Sequence, residues 1–394
     1  MRRGLHHPAA WFLSSMMAME LWAATGRVPS ADSEVVASVR PRGASSLQRE
    51  VESMRTRLRQ SPGDAALAAQ CVRRCLEADH REPDPRWLGW AMNAMEPWSK
   101  DSNSPTEIRL VRALLLQRRH EFAASLVELD AVVAANPRAS EAWLVKSTVH
   151  AVRGELELAR RAAGHLWQRA DLLSATTATA TVASLTGGGT RSCELLERVL
   201  QGATNAQSDR RLWAWTQLAE TRERLGHREK AESAYRRALE VDARDPYALG
   251  AFADFLLLQN RHAEAAALIE PFLGVESLLL RWTEARMKLG SADSKVHEAV
   301  QRLDAGFALQ AARGERVHRR EEARFRLHVQ GDVATALKLA RENWEVQREP
   351  ADLLLLAEAA TAAKSGADLE TVRRWMASTG LEDVRHSPQP VAQR

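Results

Sequence analysis

Between Leu212 and Pro246 the apolar residues recur three and four positions apart, as they do along one face of a helix. In LWAWTQLAETRERLGHREKAESAYRRALEVDARDP, Trp215, Leu218 and Ala219 make a first stripe, Leu225 and Gly226 interrupt it, and Ala231, Tyr235, Ala238 and Leu239 make a second. Gly226 can supply the left-handed residue that reverses the chain, and the Asp-Pro step at 245–246 stops the second helix. The segment therefore predicts two antiparallel helices. From Pro246 the layout repeats, with Leu249, Phe252 and Ala253, then Asn260 at the turn, then Ala265 and Ile269. Asn260 stands 34 residues after Gly226, and Gly154 stands 34 after His120, with Trp143 opening the unit between them and Ala159 following its turn. Gly187 to Gly189, Gly290, Gly331 and Gly366 mark further turns, at spacings uneven enough to predict longer helices or loops in places. The unit around Gly290 is irregular, with a second helix predicted to reach Ala312. No stretch of useful length alternates as a strand would.

The order of Trp215, Leu218 and Ala219, then Gly226, then Ala231, Tyr235 and Pro246 resembles the tetratricopeptide (TPR) repeat. That repeat is a 34-residue helix-turn-helix with a W-x2-L-G-x2-Y, A-x3-F, P signature. A large and a small residue on the first helix make a knob and a hole, and Ala231 lets the second helix approach closely. The segments DPRWLGWAMNAMEPW and HRREEARFRLHVQGDVATALKLARENWEVQREPADLLLLAEAA further resemble a bacterial group of exported TPR-repeat proteins without an assigned activity. The resemblance implies an all-α, right-handed superhelical solenoid of about eight to nine hairpins, each packed mainly on its neighbours, and it implies export. It brings no catalytic residue with it. The expected layout is degenerate hairpins over 47–105, TPR-like repeats over 106–208, the best-matching repeats over 209–278, irregular repeats over 279–383 and a disordered tail over 384–394.

Composition sharpens this in three places. The formal net charge of +4 resides in residues 1–60, which hold nine Arg against five acids, so the body is neutral and lacks the basic track that phosphate binding demands. Arg2 and Arg3, the apolar AAWFLSSMMAM and a small-residue exit at Ala24 and Gly26 read as a signal peptide over 1–26, interrupted by Glu20 and followed by an extended lead-in over 27–46. No other apolar run reaches the ~20 residues that a membrane helix needs. The three cysteines, Cys71, Cys75 and Cys193, read as small buried apolar residues.

Candidate chemistry is sparse. The TGGGTRS run at 186–192 lacks the Lys and the preceding strand of a phosphate loop, and falls where a turn is due. His318, Glu321, Glu322 and His328 share a helix without metal-ligand spacing, and read as a solvated face. The sequence points to no cofactor, no metal and no catalytic residue. What it offers is the concave face made by the first helices, where residues not needed for packing can meet a partner. These are Leu144 and Thr148, then Thr177 and Thr181, then Trp213, Thr216 and Glu220, then Tyr247, Gly250 and Asp254, and finally Glu321 and Phe325. The mix of aromatic, hydroxyl and acidic groups, with no row of Lys, Arg and Asn to clamp a terminal carboxylate, points to a protein or peptide partner bound by a non-enzymatic scaffold. The alternatives are a hydrolase or metal-dependent enzyme built on the irregular 290–330 region and a single-stranded RNA-binding repeat protein, nucleic acid being disfavoured by the neutral body.

Overall fold

A computed structural model describes residues 45–99, 101, 103–312 and 317–386. The leader expected over 1–26, the lead-in as far as 44, and 387–394 lie outside the described residues. Among those described there are nineteen α-helices and no strand.

The first three helices, α1 (Ser46–Gln60), α2 (Ala65–Arg81) and α3 (Pro85–Ala94), bury Val51, Val72, Trp87 and the thiols Cys71 and Cys75 in a core shared with Ile108, Val111 and Leu115 of the helix that follows. Asp64 and Asp84 start α2 and α3 by accepting from the backbone N–H of Leu67 and Arg86. Eight hairpins follow: α4 (Thr106–Arg118) with α5 (Phe122–Ala135), α6 (Ser140–Val152) with α7 (Leu156–Gly164), α8 (Leu172–Ser184) with α9 (Gly189–Gly202), and α10 (Ser208–Arg224) with α11 (Arg228–Val241). The series continues with α12 (Pro246–Leu258) and α13 (His262–Ile269), α14 (Glu276–Lys288) and α15 (Ser294–Ala312), α16 (Arg319–Phe325) and α17 (Val333–Trp344), and α18 (Pro350–Ala362) and α19 (Gly366–Thr379). A π-helical turn, Arg326–Gln330, extends α16.

One backbone device makes every turn. A single residue of positive φ ends each first helix: His120, Gly154, Gly187, Gly226, Asn260, Gly290, Gly331 and Lys364. The next N–H then reaches back to close the helix end, as in Glu155 N to His150 O at 2.8 Å and His227 N to Arg222 O at 2.9 Å. In the last hairpin Ser365 N bonds Ala360 O at 2.8 Å, which fixes the left-handed residue at Lys364, and the expected turn residue, Gly366, instead opens α19. Alanines where helices cross, such as Ala159, Ala231, Ala265 and Ala336, are wholly buried.

The array then returns to its own beginning. The Arg348 N–H, entering α18, donates to Val152 O at the end of α6 over 2.7 Å, and Gln347 Nε2 meets His120 Nδ1 at 2.9 Å. The Trp375 indole lies over Gly154 so closely that a Cβ there would fall 2.5 Å from the ring. Beyond α19 the chain does not become a disordered tail at 384. Leu381 and Asp383 are buried, Val384–His386 forms a 3-10 turn, and Arg385 pairs with Asp383 at 2.6 Å and Glu223 at 3.3 Å. The Glu382 carboxylate also accepts from the Gly189 N–H at 3.2 Å, tying this segment to the start of α9. At the opposite ends of the first helices, α2 reaches across the array. Its Arg73 pairs with Glu141, His80 with Asp245 at 2.7 Å, and Arg81 with Asp242 at 3.2 Å.

Gly154 and Gly290 both have φ near +75°, yet only Gly154 has a ring against it. Gly290→Ala is expected to cost about 1 kcal/mol, for backbone strain alone. Gly154→Ala adds steric conflict on the scale of an overpacked core, about 1–3 kcal/mol, and speeds amide exchange in α19. Urea denaturation and hydrogen exchange of the two variants check the difference.

Candidate functional site

Because α18 comes to rest beside α6, the first helices of seven successive hairpins, α6 through α18, enclose one cavity of about 820 Å³. That size lies within the usual range of sites for small molecules or short segments. The aromatic rings of Trp213, Tyr235 and Tyr247 and the aliphatic side chains of Leu185, Leu258 and Leu354 share its wall with many ionisable groups.

The middle of the wall is an ion network. Arg281 binds Asp254 with two parallel bonds, Nε to Oδ1 at 2.9 Å and Nη2 to Oδ2 at 2.7 Å. Arg324 adds a third at 2.6 Å and holds Glu284 at 2.8 Å. Burial by itself would raise both carboxyls, but the two guanidiniums outweigh it at Asp254, as Arg324 does at Glu284, and both acids are held below their ordinary range. Beside this network, the Tyr247 hydroxyl donates to Glu220 at 2.7 Å and Gln217 Nε2 donates to the other Glu220 oxygen at 2.8 Å. Arg320 faces Glu349 at 3.2 Å, Asp352 at 3.4 Å and Glu321 at 3.5 Å. One cation among so many acids cannot offset their desolvation. Burial pushes Glu220 up, and pushes Glu349 up to about 7, with Asp352 and Glu220 adding repulsion. Glu321 goes the other way: burial would raise it, but Arg320 and His318 bring it to about 2.

Of the positions expected on the concave face, Thr148, Thr181, Trp213, Glu220, Tyr247, Gly250, Asp254 and Glu321 line this cavity. Four do not. Phe325 is fully buried where α16 meets α15, its ring tilted against that of Phe307 with centroids 5.4 Å apart, because a phenyl ring gains about 1.5–3 kcal/mol in the core that a polar cavity cannot return. Arg320, Arg324 and His328 take the cavity face of that segment instead, the π turn carrying His328 into line. Thr216 and Thr177 are buried, each hydroxyl donating to the carbonyl four residues back, Leu212 at 2.9 Å and Leu173 at 2.7 Å. Leu144 packs against the small core of Ala163, Leu166, Ala175 and Ala178. The groups missed from sequence are mainly Gln217, Arg224, Arg281, Arg320, Arg324 and Glu349. For Arg320 and Arg324 the signal was arginine at four-residue spacing beside an apolar stripe, which also describes a solvated face; Glu321 and His328, expected on such a face, line the cavity instead. Among the described residues no group of three His, Cys, Asp or Glu could hold a metal ion, in 290–330 or elsewhere, and no helix is long and apolar enough to cross a membrane.

These features define an array of helical repeats. The chain carries a tetratricopeptide repeat: the family model named Tetratricopeptide repeat matches residues 212–255, spanning nearly all of the α10–α11 hairpin and most of α12. No curated protein matches the sequence. Among solved structures it is similar to PilW, a type IV pilus biogenesis factor, at 17% identity and TM-score 0.41 over 52% of this chain and 96% of that one. It is also similar to a tetratricopeptide repeat protein from Parabacteroides merdae at 11% identity and TM-score 0.38, covering 79% and 99%. A third is the human IFIT1 dimer with m7Gppp-AAAA, at 12% identity and TM-score 0.48, covering 84% and 77%. Identities this low speak to fold alone.

Because Glu349 is raised from an ordinary value near 4.5 to about 7, the folded state holds its proton more tightly than the unfolded chain. Its contribution therefore favours the fold at low pH and is lost as pH climbs from about 4.5 through 7. Glu349→Gln is expected to flatten the fall in thermal midpoint across that window and to be more stable than the parent at pH 8. Melting curves from pH 4.5 to 8 provide the check.

Proposed function

We propose that the protein is a non-enzymatic scaffold that takes a segment of a partner protein into the cavity between its first helices. The observation that carries this reading is the direction of the side chains. Seven successive first helices turn aromatic, amide, hydroxyl and charged groups toward one space large enough for a segment. The Tyr247 ring is half exposed, and its hydroxyl is anchored by Glu220, so it offers a flat apolar face already fixed in place. Such a ring loses little entropy on binding and is a common anchor at interfaces. The internal pairing of Asp254, Arg281, Arg324 and Glu284 keeps the wall rigid while leaving spare acceptors and donors for a ligand backbone. The N-terminal pattern of Arg2, Arg3 and the apolar stretch to Met19 supports action outside the cytoplasm, which fractionation of cells expressing a reporter fused to residues 1–60 would test.

Affinity capture with the full chain, followed by mapping of the bound segment, is expected to yield a protein ligand whose affinity drops about tenfold or more with Tyr247→Ala, the scale of an interface anchor. Tyr247→Phe, which keeps the ring and loses the bond to Glu220, should weaken it less. Unchanged affinity in Tyr247→Ala would remove the cavity as the binding site.

A further inference from the structure

Every guanidinium on the cavity wall faces a carboxylate except one. Arg281 and Arg324 share Asp254, Arg320 has Glu349 and Asp352, and Arg385 has Asp383 and Glu223. Arg224, at the C-terminal end of α10, lines the cavity, is 7% exposed and ion-pairs with none of the described residues' carboxylates. Its Nη2 donates to Ser184 Oγ at 2.8 Å and Thr221 Oγ1 at 3.3 Å. Both hydroxyls give their own protons to backbone, Ser184 to Thr181 O and Thr221 to Gln217 O, each at 2.8 Å, so they act on Arg224 as acceptors and fix its plane. Its Nε is buried with no acceptor at all.

An unpaired buried charge is expensive, and the cost cannot be escaped here by releasing a proton. The neighbouring carboxyls have that escape. Burial pushes Glu220 and Glu223 toward their neutral forms; at Arg224, burial and the charge of Arg385 outweigh the attraction of Glu220, Asp383 and Glu223, none of which reaches it as an ion pair, yet a guanidinium stays charged throughout the physiological range. The group in this cavity that most needs a partner is thus a cation, and the partner that suits a fixed guanidinium is an oxyanion.

We propose that Arg224 is an oxyanion-receiving subsite of the cavity, and that the protein segment bound there presents an aspartate or glutamate side chain to it. The second half rests on the reading of the ligand as a protein segment. A single guanidinium, braced by two hydroxyls, is matched to one carboxylate within a segment. Elsewhere the wall carries seven carboxyls and five cations, and because burial pushes Glu220, Glu223 and Glu349 toward their neutral forms, the rest of that segment needs no charge of its own.

Two titrations of the full chain separate the halves. In the first, glutarate and its neutral analogue glutaramide are added while the arginine Nε–Hε resonances are followed by NMR, the Arg224 signal being identified by its loss in Arg224→Gln. A saturable shift of that signal with glutarate and none with glutaramide is expected; no shift with glutarate overturns the subsite. Should Arg224→Gln fail to fold, Arg224→Lys serves for the identification. In the second, a capped pentapeptide with central glutamate is compared with its glutamine counterpart and with oligo-adenylate. The glutamate peptide is expected to bind about tenfold more tightly than the glutamine one, the scale of one charge-assisted hydrogen bond, and Arg224→Gln to erase that preference. Equal affinities overturn the acidic-segment half alone. Oligo-adenylate binding that depends on Arg224, with no peptide binding, leaves the subsite standing and overturns the protein-segment reading.

Discussion

The contact between Trp375 and Gly154 governs the form of this protein. A row of helical hairpins has no intrinsic reason to meet itself, since each unit satisfies its apolar faces on its neighbours. Here the last hairpin finds a second surface at the turn of the second, where the absence of a side chain admits an indole and the Arg348 N–H caps a carbonyl of α6. The seam converts a concave face into a cavity. The segment from Leu381 to His386 then closes a neighbouring gap by seating Val384 against Gly226 and sending Arg385 inward to Glu223.

Enclosure in turn decides the electrostatics. In an open groove Asp254, Glu284, Arg281 and Arg324 would be water-facing groups with weak mutual attraction. Within the closed array they are partly shielded from bulk water, which strengthens their attraction, and they pair tightly. Of the acids around Arg320, Glu349 and Asp352 are pushed toward protonation instead. Guanidiniums lack that option, which leaves Arg224, among the described residues, as the wall guanidinium resolved neither by pairing nor by neutralisation.

The hairpins were legible in sequence because the information is local. A left-handed turn wants Gly, Asn or a tolerant residue such as His, and a close crossing wants Ala, so His120, Gly154, Gly226 and Asn260 could be placed in order from spacing alone. Lys364 escaped because nothing in its own chemistry favours the left-handed conformation, and the neighbouring Gly366 drew the expectation two residues along. The cavity face was read about one residue out of phase in several helices. Thr216 stood for Gln217, Thr177 for Ala178, and Phe325 for Arg324. A helix face advances by about 100° per residue, so a one-position error exchanges core for cavity. The closure was not legible at all, because the partners Gly154 and Trp375, or Glu223 and Arg385, lie far apart in sequence and each has an ordinary local role within its own repeat.

Whether the array closes on itself can be measured directly in solution. The native thiols Cys71, Cys75 and Cys193 are buried, so spin labels can be directed to cysteines placed at the exposed positions Glu157 on α7 and Arg373 on α19. Pulsed electron–electron resonance on this pair should give one narrow, short distance, the mark of hairpins held together across the seam. A broad distribution extending to long distances would mean that the solenoid stands open, and the enclosed cavity and the account of its charges would fall with it.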